Sequence, residues 1–167
     1  MAEKTMPIRG GCLCGKARYR MAAEPLIVHA CHCTQCQRLT GSAFALNALI
    51  ERDKVALLSG ALTDFRFPGS RHTASFCDAC GGYLWSEYPS HFEPCRFVRV
   101  GTLDEPDRFP PDVHIYTATK QPWVILPDGV PVFEEFYDQA QVWVRRQPNA
   151  LSSGFSPQLE RHNCLKG

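Results

Sequence analysis

The chain has 167 residues, a net charge of +1, 44% apolar and 21% charged side chains, proportions that suit one globular domain with a fair-sized core. Such a balanced charge argues against a basic nucleic-acid surface and against an acidic solvating tail. No apolar run is long enough to span a membrane, and the opening MAEKTMPIRGG has no apolar stretch of signal-peptide length, so a reduced, cytoplasmic setting is expected.

Period-two patterning dominates from the start. Residues 16–20, 44–50, 62–67, 71–76, 83–88, 97–100 and 113–119 read as short strands. Turn residues punctuate them at Gly41, Gly60, Pro68-Gly69, Gly81-Gly82, Pro89 and Pro110-Pro111. Between the first strand and the second, residues 34–40 predict a short helix with Thr34 as N-cap and Gly41 as its stop, which places Cys33 and Cys36 at the positive end of a small dipole. After Pro131, the helical spacing of Phe133, Phe136, Tyr137, Ala140 and Val144 predicts a second helix. Beyond Pro148 the sequence turns polar and aperiodic. The expected organisation is a mainly β, antiparallel domain over residues 1–147 and a loose C-terminal tail over 148–167.

Seven of the nine cysteines fall into three tight clusters, Cys12-x-Cys14, Cys31-x-Cys33-x-x-Cys36 and Cys77-x-x-Cys80. A disulfide framework would want a short secreted chain and an even count. A tetrahedral thiolate zinc site needs four ligands, so two pairs and one triplet divide most simply into four plus three. Cys12-Leu13-Cys14-Gly15 and Cys77-Asp78-Ala79-Cys80-Gly81 are both short hooks ending in Gly, the residue that lets a tight turn aim amide groups at sulfur. Together they form a closed, structural set that contributes to folding and leaves no open position. Cys31, Cys33 and Cys36 can wrap one face of a second zinc and leave its fourth position to water or substrate. The alternative is a second structural site closed by His29, His32 or His72; of these His32, lying between two ligating cysteines, suits a supporting role better.

Other candidates are weaker. Arg38 could attract a substrate carboxylate, against the simpler reading of a surface arginine. His114 reads as a satisfied core histidine and Cys95 as a packed core thiol, while Cys164 lies in the expected tail. Residues 1–50 hold six Lys/Arg against two Asp/Glu, and residues 101–167 six against nine. That tilt is read as a solvated face, with an anionic small ligand near the first two cysteine clusters as the alternative.

In order along the chain, GGCLCGKARYR, CHCTQCQRLTGSAFALNA, FCDACGGYLWS, VGTLDEPD and HIYTATKQPWVILPDG resemble the glutathione-dependent formaldehyde-activating enzyme family, which also includes centromere protein V. The resemblance runs from about Gly10 to Gly129. It implies a β-tent of antiparallel sheets with short helices, stapled by a structural zinc, and two zinc ions per chain. Carried over by motif, Cys12, Cys14, Cys77 and Cys80 match the family's structural zinc ligands, and Cys31, Cys33 and Cys36 match its catalytic zinc ligands. The activity implied is a carbon-sulfur lyase or synthase reaction that joins formaldehyde and glutathione as S-hydroxymethylglutathione. No residue of this chain matches a glutathione-binding motif.

The expected function is therefore a zinc-dependent carbon-sulfur lyase or synthase acting on a small thiol-aldehyde adduct, with glutathione as substrate and with neither a nucleic acid nor a membrane as partner. Its rivals are a non-catalytic, zinc-stabilised binding module and the same chemistry on a different thiol or aldehyde. An exchangeable fourth position at the three-cysteine site favours an enzyme; a histidine-closed one favours a scaffold.

Overall fold

Strand β4 (Ala45–Glu51) runs through the middle of the fold because its sequence ALNALIE is apolar on both faces, and four of its seven residues in a row, Asn47 to Ile50, are buried. The computed structural model describes residues 8–69, 72–88 and 94–137. Before β4 come β1 (Ile8–Gly11), β2 (Arg18–Met21), β3 (Ile27–Cys31) and the helix α1 (Thr34–Thr40). After it come β5 (Val55–Ser59), β6 (Leu62–Arg66), β7 (Thr73–Cys77), β8 (Tyr83–Glu87), β9 (Cys95–Arg99) and β10 (Val113–Ile115).

These strands form a three-stranded sheet in the order β1-β2-β5 and a seven-stranded sheet in the order β10-β3-β4-β9-β8-β7-β6. The protein is mainly β, as its alternating pattern predicts. All pairs are antiparallel except β10 with β3, which is parallel, so the larger sheet is mixed. Strand alternation sends successive side chains to opposite faces, and this divides the interior in two. Val28, Ala48, Ile50, Val98 and Val100 pack with Tyr19, Met21 and Val55 of the smaller sheet. Ile27, Cys31, Leu49, Cys95 and Phe97 form the second cluster, with Cys36 of α1 and Val113 and Ile115 of β10. Cys12 and Cys77 belong to the first cluster, and the cysteine triplet belongs to the second.

Two predicted elements depart from their pattern. The strand expected over 113–119 ends at Ile115, because Tyr116 adopts a left-handed conformation (φ 56°) and Thr117–Thr119 follow as a 3-10 turn. The helix expected after Pro131 is absent from 132–137. There the backbone bonds back to the β10 segment instead, with Phe133 N–H donating to His114 O at 2.9 Å and Tyr116 N–H to Glu135 O at 3.1 Å. Apolar spacing alone could not reveal that competition for backbone partners. Ala140, Val144, Cys164 and the boundary expected at 147/148 lie outside the described residues.

The turn between β5 and β6 braces both cysteine hooks. Ser59 Oγ donates to Lys16 O at 3.0 Å, and Asp78 N–H donates to Ala61 O at 3.2 Å. Gly60 sits between them at φ +80°, where an added Cβ would lie 2.6 Å from Lys16 O and 2.7 Å from Ala17 Cα. Gly60→Ala should therefore cost about 2 kcal/mol or more, from backbone strain and from displacing the first hook. Urea denaturation of the metal-loaded protein measures this; a change under ~0.5 kcal/mol would mean the turn does not hold the hook.

Candidate metal centres

Each hook is a closed backbone turn. Gly15 N–H donates to Cys12 O at 3.0 Å and Gly81 N–H to Cys77 O at 2.9 Å. Both glycines have positive φ, 76° and 68°, the conformation that the Gly after each hook was expected to supply. The loop before β2 and the end of β7 thereby bring Cys12, Cys14, Cys77 and Cys80 together, with all four Sγ atoms within 4.8 Å of one another. The Cys12–Cys14 and Cys14–Cys77 sulfur separations are 3.4 and 3.9 Å. Four sulfurs arranged tetrahedrally about zinc at ~2.3 Å stand about 3.8 Å apart, so this donor set fits the ion in chemistry and in spacing.

Backbone amides face these sulfurs. Ala17 N–H donates to Cys12 Sγ at 3.3 Å, and the Cys14 and Gly82 amides bond Cys80. Burial works against ionising Cys12, but the Ala17 amide and the three neighbouring thiols bring its pKa down to about 6. Cys14 and Cys80 are exposed while Cys12 and Cys77 are buried, so water screens one side of this cluster.

The second group is built by the junction of β3 and α1. Cys31 ends β3, and Cys33 is the N-cap of α1, accepting from the Cys36 N–H at 3.3 Å. The helix spans Thr34–Thr40 as predicted and ends at Gly41 in a left-handed conformation, but its cap is the Cys33 thiol rather than Thr34. The correction has a physical reason: sulfur at Cys33 already lies where a capping oxygen would, and Thr34 takes helical geometry as the first residue inside. All three cysteines are buried, and their sulfurs lie within 4.8 Å of one another.

The loop carrying the triplet is pinned from the far side. His32 N–H donates to Ile115 O at 2.9 Å, while His32 O accepts from Gln37 Nε2 at 2.7 Å and from Thr119 Oγ1 at 3.0 Å. The His32 ring turns away from the sulfurs, with its Nε2 3.0 Å from His114 Nδ1. His114, expected to be a satisfied core histidine, is buried but leaves Nε2 without a hydrogen-bond partner among the described residues. His29 Nε2 bonds Tyr137 OH at 2.7 Å. His72 stacks between Phe67 and Tyr88, accepts from Gln35 Nε2 at 3.2 Å and donates to Ser86 Oγ at 2.9 Å. Among the described residues no histidine nitrogen or carboxylate joins the three sulfurs within 4.8 Å. Burial pushes His29 down to about 3 and His72 to about 4, the latter with help from the Arg99 charge.

Arg99 is the site residue that sequence reasoning missed. It is buried, donates from Nη1 to Asn47 Oδ1 and lies with Cζ 4.0 Å from the centre of the Tyr83 ring. Hydrogen bonds from Cys31 and Cys33, followed by the Arg99 charge, hold Cys36 well below the ordinary thiol range, while Cys31 is pushed up. The available signal was alternation: in Cys95-Arg96-Phe97-Val98-Arg99 the second arginine shares a face with Cys95 and Phe97, which are core residues. Arg38 is exposed, as its surface reading has it. Cys95 is buried, and desolvation raises its thiol to about 12.

A mainly β domain thus gathers seven cysteines into groups of four and three, two clusters that could hold zinc. The sequence profile of the glutathione-dependent formaldehyde-activating enzymes matches residues 7–119, and the chain belongs to that family. It is also similar to a Rhodobacter sphaeroides protein of known crystal structure, with 22% identity over 75% of this chain and 98% of that one and a TM-score of 0.47. Among the described residues no helix is long and apolar enough to cross a membrane.

Proposed function

We propose that the chain is a two-zinc carbon-sulfur lyase or synthase that joins a small thiol to an aldehyde, with glutathione and formaldehyde as the pair its family points to. The carrying observation is the contrast between the two thiol groups. Four converging sulfurs complete a tetrahedral donor set, whereas three buried sulfurs do not. Cys12, Cys14, Cys77 and Cys80 would hold a structural ion. Zinc held by Cys31, Cys33 and Cys36 would supply Lewis acidity that favours the deprotonated form of an incoming thiol.

The chain's own residues do the remaining work. The turn pinned by Gln37 and Thr119 fixes the direction of Cys31 and Cys33, and α1 fixes Cys36. Burial of the triplet keeps bulk water from competing with the thiol. In the forward reaction the sulfur-carbon bond forms, the carbonyl π pair moves to oxygen, and that oxygen takes up a proton; the lyase direction reverses each change. Adding the zinc-loaded protein to glutathione and labelled formaldehyde should accelerate adduct exchange in two-dimensional exchange NMR, and a panel of other thiols and aldehydes tests the substrate pair. An exchange rate equal to the protein-free rate for every pair would sink the reading.

Metal content gives a separate check. Protein isolated without chelator should carry two zinc ions per chain by elemental analysis, and a mild chelator should remove the ion of the three-cysteine group more readily than that of the four-cysteine group, because the triplet has an exchangeable ligand position. Zinc-free protein with paired disulfides would contradict both assignments.

A further inference from the structure

Among the described residues Arg99 is the one buried Arg or Lys. None of the ion pairs formed there includes it: those pairs use Arg18, Arg52, Lys54, Arg96 and Arg108. Its Nη1 is spent on neutral Asn47, the cross-strand partner on β4, and its Nε has no hydrogen-bond partner among the described residues. Tyr83 covers one face of the guanidinium. A buried cation without a carboxylate is costly unless another anion answers it. The groups able to become anions on that face of the sheet are the triplet's thiols: Arg99 shares the side of β9 whose Cys95 and Phe97 pack in one cluster with Cys31, Cys33 and Cys36.

The two thiol groups differ in how they can carry charge. Three thiolates about a divalent ion leave one net negative charge, and a fourth thiolate makes it two. The four-cysteine group meets that with exposed Cys14 and Cys80, where water screens it. The triplet is 4–7% exposed, so screening must come from the protein. We propose that Arg99 is the charge-compensating, positioning residue of the three-cysteine site, and that it sets this site to accept an anionic sulfur in preference to a neutral ligand. The proposal rests on the zinc-thiol reading above and names what in the chain makes it selective. The thiol binds as its thiolate, its proton passes to solvent, and Arg99 keeps its own proton throughout.

The test uses the full chain loaded with cobalt(II), whose sulfur-to-metal charge-transfer and d–d bands report the ligand set. Two probes are titrated: 2-mercaptoethanol, a thiol with no carboxylate, and imidazole, a neutral ligand. Arg99→Met should weaken thiol affinity by about 10-fold or more, the scale of one charge near a partly buried site, while imidazole affinity stays within ~2-fold. Arg99→Lys should recover most of the thiol affinity. Asn47→Asp leaves the arginine packed but sets a carboxylate on it, so thiol affinity should fall in the same direction as in Arg99→Met. Equal thiol affinity in wild type, Arg99→Met and Asn47→Asp would overturn the role of Arg99 and leave the thiol site intact. Parallel loss of thiol and imidazole binding, with no rescue by lysine, would make Arg99 a packing residue and overturn it as well. A wild type whose spectrum ignores thiol would remove the underlying reading and the proposal with it.

Discussion

Cys77→Ser should lower the stability of the zinc-loaded protein by about 4 kcal/mol or more, because four-thiolate sites contribute apparent binding free energies of roughly 10 kcal/mol or more and one lost ligand forfeits a large share. Cys77 is buried in the first core cluster and ends β7, while its partners Cys12 and Cys14 lie in the loop before β2. An ion held by them would tie a strand of the seven-stranded sheet to the smaller sheet, so its loss should loosen contacts between chain segments far apart in sequence. Cys33→Ser should cost less, about 2 kcal/mol at most, because serine is a good N-cap and can replace the sulfur that accepts from the Cys36 amide. Thermal melts with and without chelator measure both. At ~2–4 °C per kcal/mol for a chain of this size, the two variants should separate clearly, and the reverse order would exchange the roles of the two thiol groups.

The unequal legibility of this fold follows from how each segment is buried. A strand such as β2 is readable because its sequence period and burial period coincide, with Tyr19 and Met21 buried and Arg20 exposed between them. β3 is not: all five residues of Ile-Val-His-Ala-Cys are buried, so the period-two signal vanishes, and a buried histidine masks the rest. β1 hides its pattern in two glycines, one of which admits the Tyr19 ring so closely that an added Cβ would lie 2.5 Å from it. β5 ends in exposed Leu57 and Leu58, which blur its inner and outer faces.

The candidate site divides along the same line. Cysteine spacing marks the hooks and the triplet because ligands close in sequence share a metal through local turns. Arg99, Asn47 and the chain from Gln35 through His72 to Ser86 come from separate strands, the helix and the segment before β7. Only the pairing of β4 with β9 and the packing of α1 on the sheet bring such residues together, and no local motif encodes it.

Glutathione should bind the zinc-loaded protein with an affinity that rises with pH. A free thiol has a pKa near ~8.5, so below that value each pH unit raises the thiolate fraction, and hence the apparent affinity, by about 10-fold when the thiolate is the bound form. The sign follows from the proton released on binding: the complex holds fewer protons than its separated parts, so rising pH favours it. Cysteines already holding metal have lost their protons and add nothing to this slope. Cys36→Ser removes the sulfur on which the Arg99 charge acts and replaces a soft ligand with a hard one, so glutathione affinity should fall by roughly 10-fold or more and the pH slope should flatten. Titration calorimetry from pH 6.5 to 8.5, repeated in buffers of different protonation enthalpy, counts the released proton directly. Equal, pH-independent binding in wild type and Cys36→Ser would place the ligand away from the triplet, for then neither the missing sulfur nor the thiol's proton would enter the equilibrium.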